Sequence, residues 1–225
     1  MGGLRKIETN LPNISAGRFP TSSLARIVAP FLLPDYIDKA LYLDADILIR
    51  GPLDEFYYKD IKNKGILAVP DVFLDNPSAY HMQRMKLERP FRYIISGVLL
   101  YNLKVLREKY SYDDTMEALR SYQPVSEFVD QDFINDFFRN EIEYGNIIYN
   151  CPPYWAADIV AKKFISRKCK IKVVHYMGKV KPWHETYSLR YFLIYRKAWN
   201  SIFPKQKLSE LNYLKNIYKH FIGCK

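Results

Sequence analysis

Short apolar runs alternate with amphipathic stretches along most of the chain, and the two periods predict different elements. Residues 39–43, 65–69 and 94–101 are apolar runs of strand length bounded by polar or turn residues. Such runs fit strands covered on both faces. Elsewhere apolar residues recur at helical spacing, which predicts helices over 22–31, 102–109, 113–122 and 130–139, with further short strands near Ile142 and Ile171. Strands alternating with helices argue for an α/β fold built on a mostly parallel sheet flanked by helices. Two stretches break the pattern. Residues 71–89 form a longer polar segment suited to capping a site, and Cys151-Pro-Pro-Tyr-Trp155 reads as a stiff aromatic loop.

The run at 41–53 carries two carboxylates inside an otherwise apolar strand pattern, Leu41-Tyr-Leu-Asp-Ala-Asp-Ile-Leu-Ile49. In an extended chain positions i and i+2 project to the same side, so Asp44 and Asp46 are expected to converge on one cation. Two carboxylates so close repel each other and lose hydration unless a positive group lies between them. The plainer explanation is a strand ending in a turn, where Asp bonds its own backbone. A second stretch favours the cation. Residues 171–183 run from a short apolar strand into His175, Gly178, Lys181, Pro182 and Trp183. An imidazole suits a borderline metal, glycine lets backbone approach a ligand, and a lysine ammonium suits phosphate.

Four segments occur in order: Ser22-Ser-Leu-Ala-Arg26, Leu41-Tyr-Leu-Asp-Ala-Asp46, Asp130-Gln-Asp-Phe-Ile-Asn135 and His175-Tyr-Met-Gly-Lys-Val-Lys-Pro-Trp183. Together, over roughly 18–185, they resemble the motifs of glycosyltransferase family 8: an Arg-bearing helix, Leu-Tyr-Leu-Asp-x-Asp, Asp-Gln-Asp-x-x-Asn and His-x-x-Gly-x-x-Lys-Pro-Trp. The resemblance implies a Rossmann-like domain of GT-A type. It also implies retaining transfer of a hexose from a UDP-sugar to a glycan or lipid-linked glycan, as in cell-surface polysaccharide or lipopolysaccharide synthesis. On that basis Asp44, Asp46 and His175 would hold Mn²⁺ or Mg²⁺, with Arg26, Ala45, Gly178 and Lys181 on the nucleotide sugar. Asp130 would bind the transferred sugar, and Gln131 would lie on the acceptor face. No carboxylate is marked by sequence as a nucleophile, so a front-side path is expected, in which the leaving phosphate accepts the acceptor's proton.

Two departures from the family pattern bear on activity. Where members carry Tyr/Phe-Asn-Ser/Ala-Gly-Val-Leu, this chain has Tyr93-Ile-Ile-Ser-Gly-Val-Leu99, and Ile95 can neither donate nor accept the sugar contact expected of asparagine. The chain also reaches Arg26 almost at once from Met1, so the family's opening uridine-binding strands are expected to be missing and the domain N-terminally shortened. Residues 41–43 would then lack a neighbouring strand. The competing expectation is a catalytically inactive remnant that keeps metal and nucleotide binding. A metal-dependent nucleotide-sugar hydrolase is a third.

Composition adds limits. The 225 residues, 48% hydrophobic, suit one domain at 1–186 followed by a basic aromatic helical segment at 187–225. Cys151, Cys169 and Cys224 are too few and too scattered for a disulfide framework or a zinc knuckle, which fits reduced thiols in a cytoplasmic protein. No signal peptide or membrane-spanning run is apparent. The net charge of +10 raises nucleic acid as a partner, but no helix-turn-helix, RNA-binding or zinc-module pattern accompanies it. Residues 187–225 hold eight Lys or Arg against the single acid Glu210, interleaved with nine aromatic residues. That composition suits peripheral contact with an anionic membrane, or equally a solvated helix laying its aromatics on the domain.

Overall fold

The computed structural model describes residues 21–76, 78, 80–123, 128–153, 170–184 and 189–208. In chain order the helices are α1 (Ala25–Leu32), α2 (Asp54–Tyr57), α3 (Tyr80–Arg84), α4 (Leu103–Lys109), α5 (Tyr112–Ser121), α6 (Val129–Phe137) and α7 (Leu189–Ile202). The strands are β1 (Lys39–Leu43), β2 (Ile47–Ile49), β3 (Ile66–Pro70), β4 (Ile94–Asn102), β5 (Ile142–Tyr144) and β6 (Val173–His175). They divide into two compact units: residues up to Leu43 together with Leu53–Ile147, and Asp44–Pro52 together with residues from Ile148 onward.

In the first unit the four strands lie in the order β1-β4-β3-β5. The α/β class holds, but among the described residues the sheet is mixed: β4 runs antiparallel to both β1 and β3, and β3 runs parallel to β5. A helical crossover returns the chain in the same direction. Between β3 and β5 the chain passes through β4 and the helices α3 to α6, whereas the 71–93 segment, with the short α3 in it, joins β3 to β4. That segment doubles back, its ends tied where Asp71 N donates to Tyr93 O at 2.8 Å. It is not a loose polar cap: Met82, Met85, Leu87 and Tyr93 form a small apolar core of their own. Asp75 anchors it from within, accepting from Arg89 Nη1 at 3.0 Å, Arg92 Nε at 2.9 Å and Tyr93 N at 3.1 Å.

Local chemistry explains where the helices begin. Asn102 closes β4 and its side chain accepts from Val105 N, so α4 begins one residue later than the apolar spacing predicts. Ser111 Oγ accepts from Asp114 N at 3.0 Å and starts α5 in the same way. At the other end of α1, the Arg107 guanidinium donates to the carbonyls of Pro30, Leu33 and Ile37 at 3.0, 2.7 and 3.1 Å. Those groups would otherwise be orphaned at a helix terminus. Ile27, Leu99, Leu103, Met116, Phe133 and Phe138, all at most 2% exposed, fill the core. Each is worth about 1.5–3 kcal/mol in removal of apolar surface from water. The strand expected to want neighbours on both sides, β1, pairs only with β4 among the described residues, and all five of its residues are half-buried.

In the second unit a separate short strand, β2, follows the carboxylate pair. The chain turns at Asp44–Asp46, and β2 pairs antiparallel with β6, placing Ile47 opposite His175. On the other side of β6, Cys151 N donates to Val173 O at 3.1 Å and His175 N donates to Cys151 O at 3.0 Å. Beneath them Val174 and Tyr176 pack with Leu48, Ile171, Tyr195 and Leu208. Tyr195 and Trp199 of α7 take part in this unit's packing. Tyr195 meets Tyr176 edge-on at 5.9 Å, and Trp199 lies 5.9 Å from Tyr195 and 4.6 Å from Phe203. Among the described residues no helix is long and apolar enough to cross a membrane.

Candidate functional site

The second unit gathers the residues of the two strongest motifs. Pairing of β2 with β6 carries the imidazole to the carboxylates: His175 Nε2 lies 3.2 Å from Asp46 Oδ1 and 3.6 Å from Asp44 Oδ2. One ligand atom from each of Asp44, Asp46 and His175 falls within 4.8 Å of the others. Metal–ligand bonds of about 2.0–2.4 Å put any two ligand atoms of one ion no more than about 4.8 Å apart, so the trio fits a single divalent ion. Two carboxylates with one imidazole suit Mn²⁺ better than a purely oxygen-preferring ion. The carboxylates converge through a turn rather than along a strand, with Ala45 exposed at its apex. The turn is fixed where Tyr176 N donates to Asp46 O at 2.9 Å.

The electrostatics follow from these contacts. Burial alone raises the Asp46 carboxyl, but the hydrogen bond and charge of His175, then those of Lys181, outweigh it and hold the group well below the usual carboxylate range. Lys181 Nζ is bonded to Asp46 Oδ2 and donates to Tyr176 O at 2.9 Å. The lysine expected to meet phosphate therefore rests on a metal-site carboxylate. His175 is 4% exposed, and its Nδ1 lies 2.8 Å from Asn150 Oδ1. Gly178 has φ +96° with open space where a Cβ would stand. Its need for glycine is conformational rather than a matter of close approach. Neighbouring Cys151 is a buried free thiol, pushed up to about 12 by burial.

The first unit holds a second polar cluster. Arg26 Nε lies 3.2 Å from Asp130 Oδ2, and its Nη1 donates to Ser96 O and Ser96 Oγ at 3.1 and 3.0 Å. Ser96 Oγ donates to Asp130 Oδ2 at 3.2 Å. Gln131 Oε1 accepts from Ser96 N at 3.1 Å, while Gln131 Nε2 faces Asp71 Oδ2 at 3.4 Å. A bulge makes this possible. Opposite the single step from Ala68 to Val69, β4 advances from Leu99 to Ile95, which releases Ser96 from pairing with β3. The pairing with β1 ends at Val98. The serine's backbone groups are thus taken by Arg26 and Gln131, a use of bulges common beside functional sites. Burial raises the Asp71 carboxyl, against bonds from Leu74 N, Phe73 N and Gln131, with the Asp75 charge adding to the rise.

The sequence-predicted residues therefore fall into two sets. Asp44, Ala45, Asp46, His175, Gly178 and Lys181 lie in the second unit, and Arg26, Asp130 and Gln131 lie in the first. Ile95, the departure from the family pattern, is 2% exposed and packed in the sheet. The polar contacts at that point belong to Ser96 instead. Sequence reasoning missed Ser96, Asp71 and Asn150. Only Ser96 carried a signal, as the one polar side chain in the apolar run of β4. Tyr154, Trp155, Cys169 and Cys224 lie outside the described residues.

Comparison with known proteins decides the family. The profile described as "Glycosyl transferase family 8" matches residues 16–187. The chain belongs to glycosyl transferase family 8. This family 8 chain is 25% identical over 209 residues to a lipopolysaccharide 1,2-glucosyltransferase of Escherichia coli K12, covering 88% of this chain and 60% of that one. It is 25% identical over 163 residues to a lipopolysaccharide 1,3-galactosyltransferase of Salmonella typhimurium, covering 68% of this chain and 48% of the relative. Among solved structures it resembles the galactosyltransferase LgtC, crystallised with donor and acceptor sugar analogs, at a TM-score of 0.64 and 28% identity over 75% of this chain and 62% of LgtC. The chain thus spans about half to three-fifths of the length of these two relatives. The fold is that of the GT-A glycosyltransferases.

Proposed function

We propose that this protein is a retaining, metal-dependent hexosyltransferase that moves glucose or galactose from a uridine diphosphate donor to a glycan or lipid-linked glycan, at the cytoplasmic face of the membrane. The observation that carries it is the convergence of Asp44, Asp46 and His175 within one ion's reach, with Lys181 bonded to the same Asp46. Family membership and the lipopolysaccharide glycosyltransferases among its relatives support the substrate class.

Breaking a sugar–phosphate bond builds negative charge on the departing diphosphate. A divalent cation held by Asp44, Asp46 and His175 would neutralise that charge as a Lewis acid. Lys181 supplies a mobile positive charge on the same side, able to exchange Asp46 for a phosphate oxygen. In the first unit Arg26 fixes Asp130 and Ser96, so that Asp130 offers oriented acceptor oxygens to sugar hydroxyls, and Gln131 is held by Ser96 N and Asp71 with its amide set for the incoming acceptor. With configuration retained, the acceptor oxygen bonds to C1 as the C1–O bond to phosphate breaks, and the acceptor's proton passes to the leaving phosphate.

The decisive experiment is product analysis with UDP-glucose and UDP-galactose, with and without Mn²⁺, scored for transfer to lipopolysaccharide-core acceptors and for free sugar. Metal-dependent transfer with retained anomeric configuration is expected, and inverted product or metal-independent transfer would overturn the mechanism. A remnant that only binds is favoured by one observation, the apolar Ile95 at the family's asparagine position. It predicts metal-dependent binding of uridine diphosphate with neither transfer nor hydrolysis. Contact with an anionic membrane through the basic C-terminal segment belongs to the same proposal. Co-sedimentation with anionic but not neutral vesicles, weakened in a Lys197→Glu, Lys205→Glu variant, is the expected outcome.

A further inference from the structure

His175 can act as a ligand only if the nitrogen that faces the carboxylates carries a lone pair. Its Nε2 faces Asp46 and Asp44 at 3.2 and 3.6 Å, so its proton must sit on Nδ1, which lies 2.8 Å from Asn150 Oδ1. Asn150 is fully buried, and its position is set by backbone on both sides. Lys172 N donates to Ile148 O at 2.9 Å, and Cys151 exchanges two bonds with Val173 and His175. The amide can meet the ring in two ways. With Oδ1 toward Nδ1 it accepts the proton and leaves Nε2 free to ligate. With Nδ2 toward Nδ1 it donates, and Nε2–H points at the carboxylates, where it hydrogen-bonds them but cannot hold a metal. The structure has the first arrangement, and among the described residues Asn150 Nδ2 has no hydrogen-bond partner. A buried amide that leaves its own donor unmatched so that its oxygen can meet an imidazole is held for that contact.

We infer that Asn150 is the positioning residue of the metal centre: its carboxamide oxygen holds the His175 proton on Nδ1 and so presents Nε2 to a divalent cation together with Asp44 and Asp46. The inference rests on the proposed metal-dependent reading of that trio. A partner that orients a ligating histidine in this way governs affinity for the ion, and its loss typically costs about 10–100-fold.

The test titrates Mn²⁺ alone into the full chain, followed by the electron paramagnetic resonance of free Mn²⁺, in wild type, Asn150→Leu and Asn150→Asp. Leucine keeps the branched outline and removes the acceptor; aspartate keeps the acceptor and adds charge. The expected order of affinity is Asn150→Asp equal to or above wild type, with Asn150→Leu weaker by about 10–100-fold. A residue that merely fills space gives the opposite order, with leucine tolerated and a buried aspartate damaging, and that result overturns the assignment, as does equal affinity in all three. Should Asn150→Leu fail to fold, ¹⁵N-resolved NMR of the wild-type protein loaded with diamagnetic Zn²⁺ gives an independent answer. A protected His175 Nδ1–H resonance is expected, and a proton on Nε2 overturns the inference. Wild-type protein that binds no Mn²⁺ removes the metal reading itself and this inference with it, whereas Mn²⁺ binding that ignores position 150 removes the inference alone.

Discussion

In the first unit a guanidinium and a carboxylate, both nearly buried, meet at 3.2 Å with Ser96 bonded to each; in the second, two half-buried carboxylates share one imidazole and one ammonium. Arg26 and Asp130 balance in charge. In the second cluster the two carboxylates of Asp44 and Asp46 lie beside the single ammonium of Lys181 and the imidazole of His175. A balanced, hydrogen-bonded cluster has its side chains already oriented, which is what the proposed role toward neutral sugar hydroxyls requires. An unbalanced one attracts a cation, because close carboxylates are relieved by positive charge. The same residue types thus prepare for different ligands according to how completely each cluster neutralises itself.

That contrast is broken most severely by Asp46→Ala. It removes one of the proposed metal ligands and the anchor of Lys181 together, and transfer should fall by about 10³-fold or more, with no recovery at high Mn²⁺. Chelation of the wild-type protein with EDTA should match this loss and be reversed by Mn²⁺, measured as sugar transferred or donor hydrolysed. Activity that survives either treatment would make the second cluster an ordinary ion-pair network.

Lys181→Met separates two roles that Asp46→Ala merges. The ammonium competes with a cation for Asp46 Oδ2, so its removal should tighten Mn²⁺ binding several-fold while transfer falls by about 10²-fold through loss of charge at the phosphates. Opposite signs in the metal titration and the rate distinguish a phosphate lysine from one that only supports the site. A loss in both would mean that Lys181 chiefly orders the loop from Tyr176 to Trp183.

How much of this was legible beforehand depended on the length of the signal. The apolar runs of β1, β3 and β4 exceed four residues and mark their strands within a residue or two, and the short runs near Ile142 and Ile171 mark β5 and β6, whereas the three residues of β2 directly follow the carboxylate pair and have no boundary of their own in the sequence. Its pairing with β6 brings His175 beside Asp46 across 129 positions, and no local pattern contains that fact. The motif residues could be named from sequence because each type suits its chemistry in isolation. Ser96 and Asn150 could not, because their roles arise from a bulge and from a backbone bridge. At Ile95 the apolar side chain packs in the sheet, and the bulge beside it turns the polar groups of the next residue, Ser96, toward Arg26 and Gln131.

In the first unit Arg26→Met tests the balanced cluster. Removing the guanidinium takes the cation from a carboxylate whose side chain is 8% exposed, and breaking such a pair typically costs about 3–5 kcal/mol. Chemical denaturation should register that loss, and transfer should fall by about 10-fold through misplacement of Asp130 and Ser96. Mn²⁺ affinity should stay unchanged, since the trio proposed to hold the ion belongs to the other unit. A change in metal affinity would mean that the two clusters are not independent.

The smallest expected effect sits at the margin of the balanced cluster. Burial holds the Asp71 carboxyl above its ordinary value, so the folded chain binds its proton more tightly than the unfolded chain does. Stability from that proton is fully present below the unfolded carboxyl's value and is lost as pH rises through the folded one. As pH rises through the folded value the wild-type protein loses that contribution and comes to carry a buried carboxylate, while Asp71→Asn has no such dependence. The asparagine oxygen can still accept from Phe73 N and Leu74 N, as Asp71 Oδ1 does at 2.8 and 3.0 Å. Denaturation midpoints of the two proteins should therefore separate in favour of Asp71→Asn as pH rises from the acid range to neutrality. If instead the wild-type protein gains on Asp71→Asn with rising pH, Asp71 is stabilised as a carboxylate, and the first cluster holds excess negative charge after all.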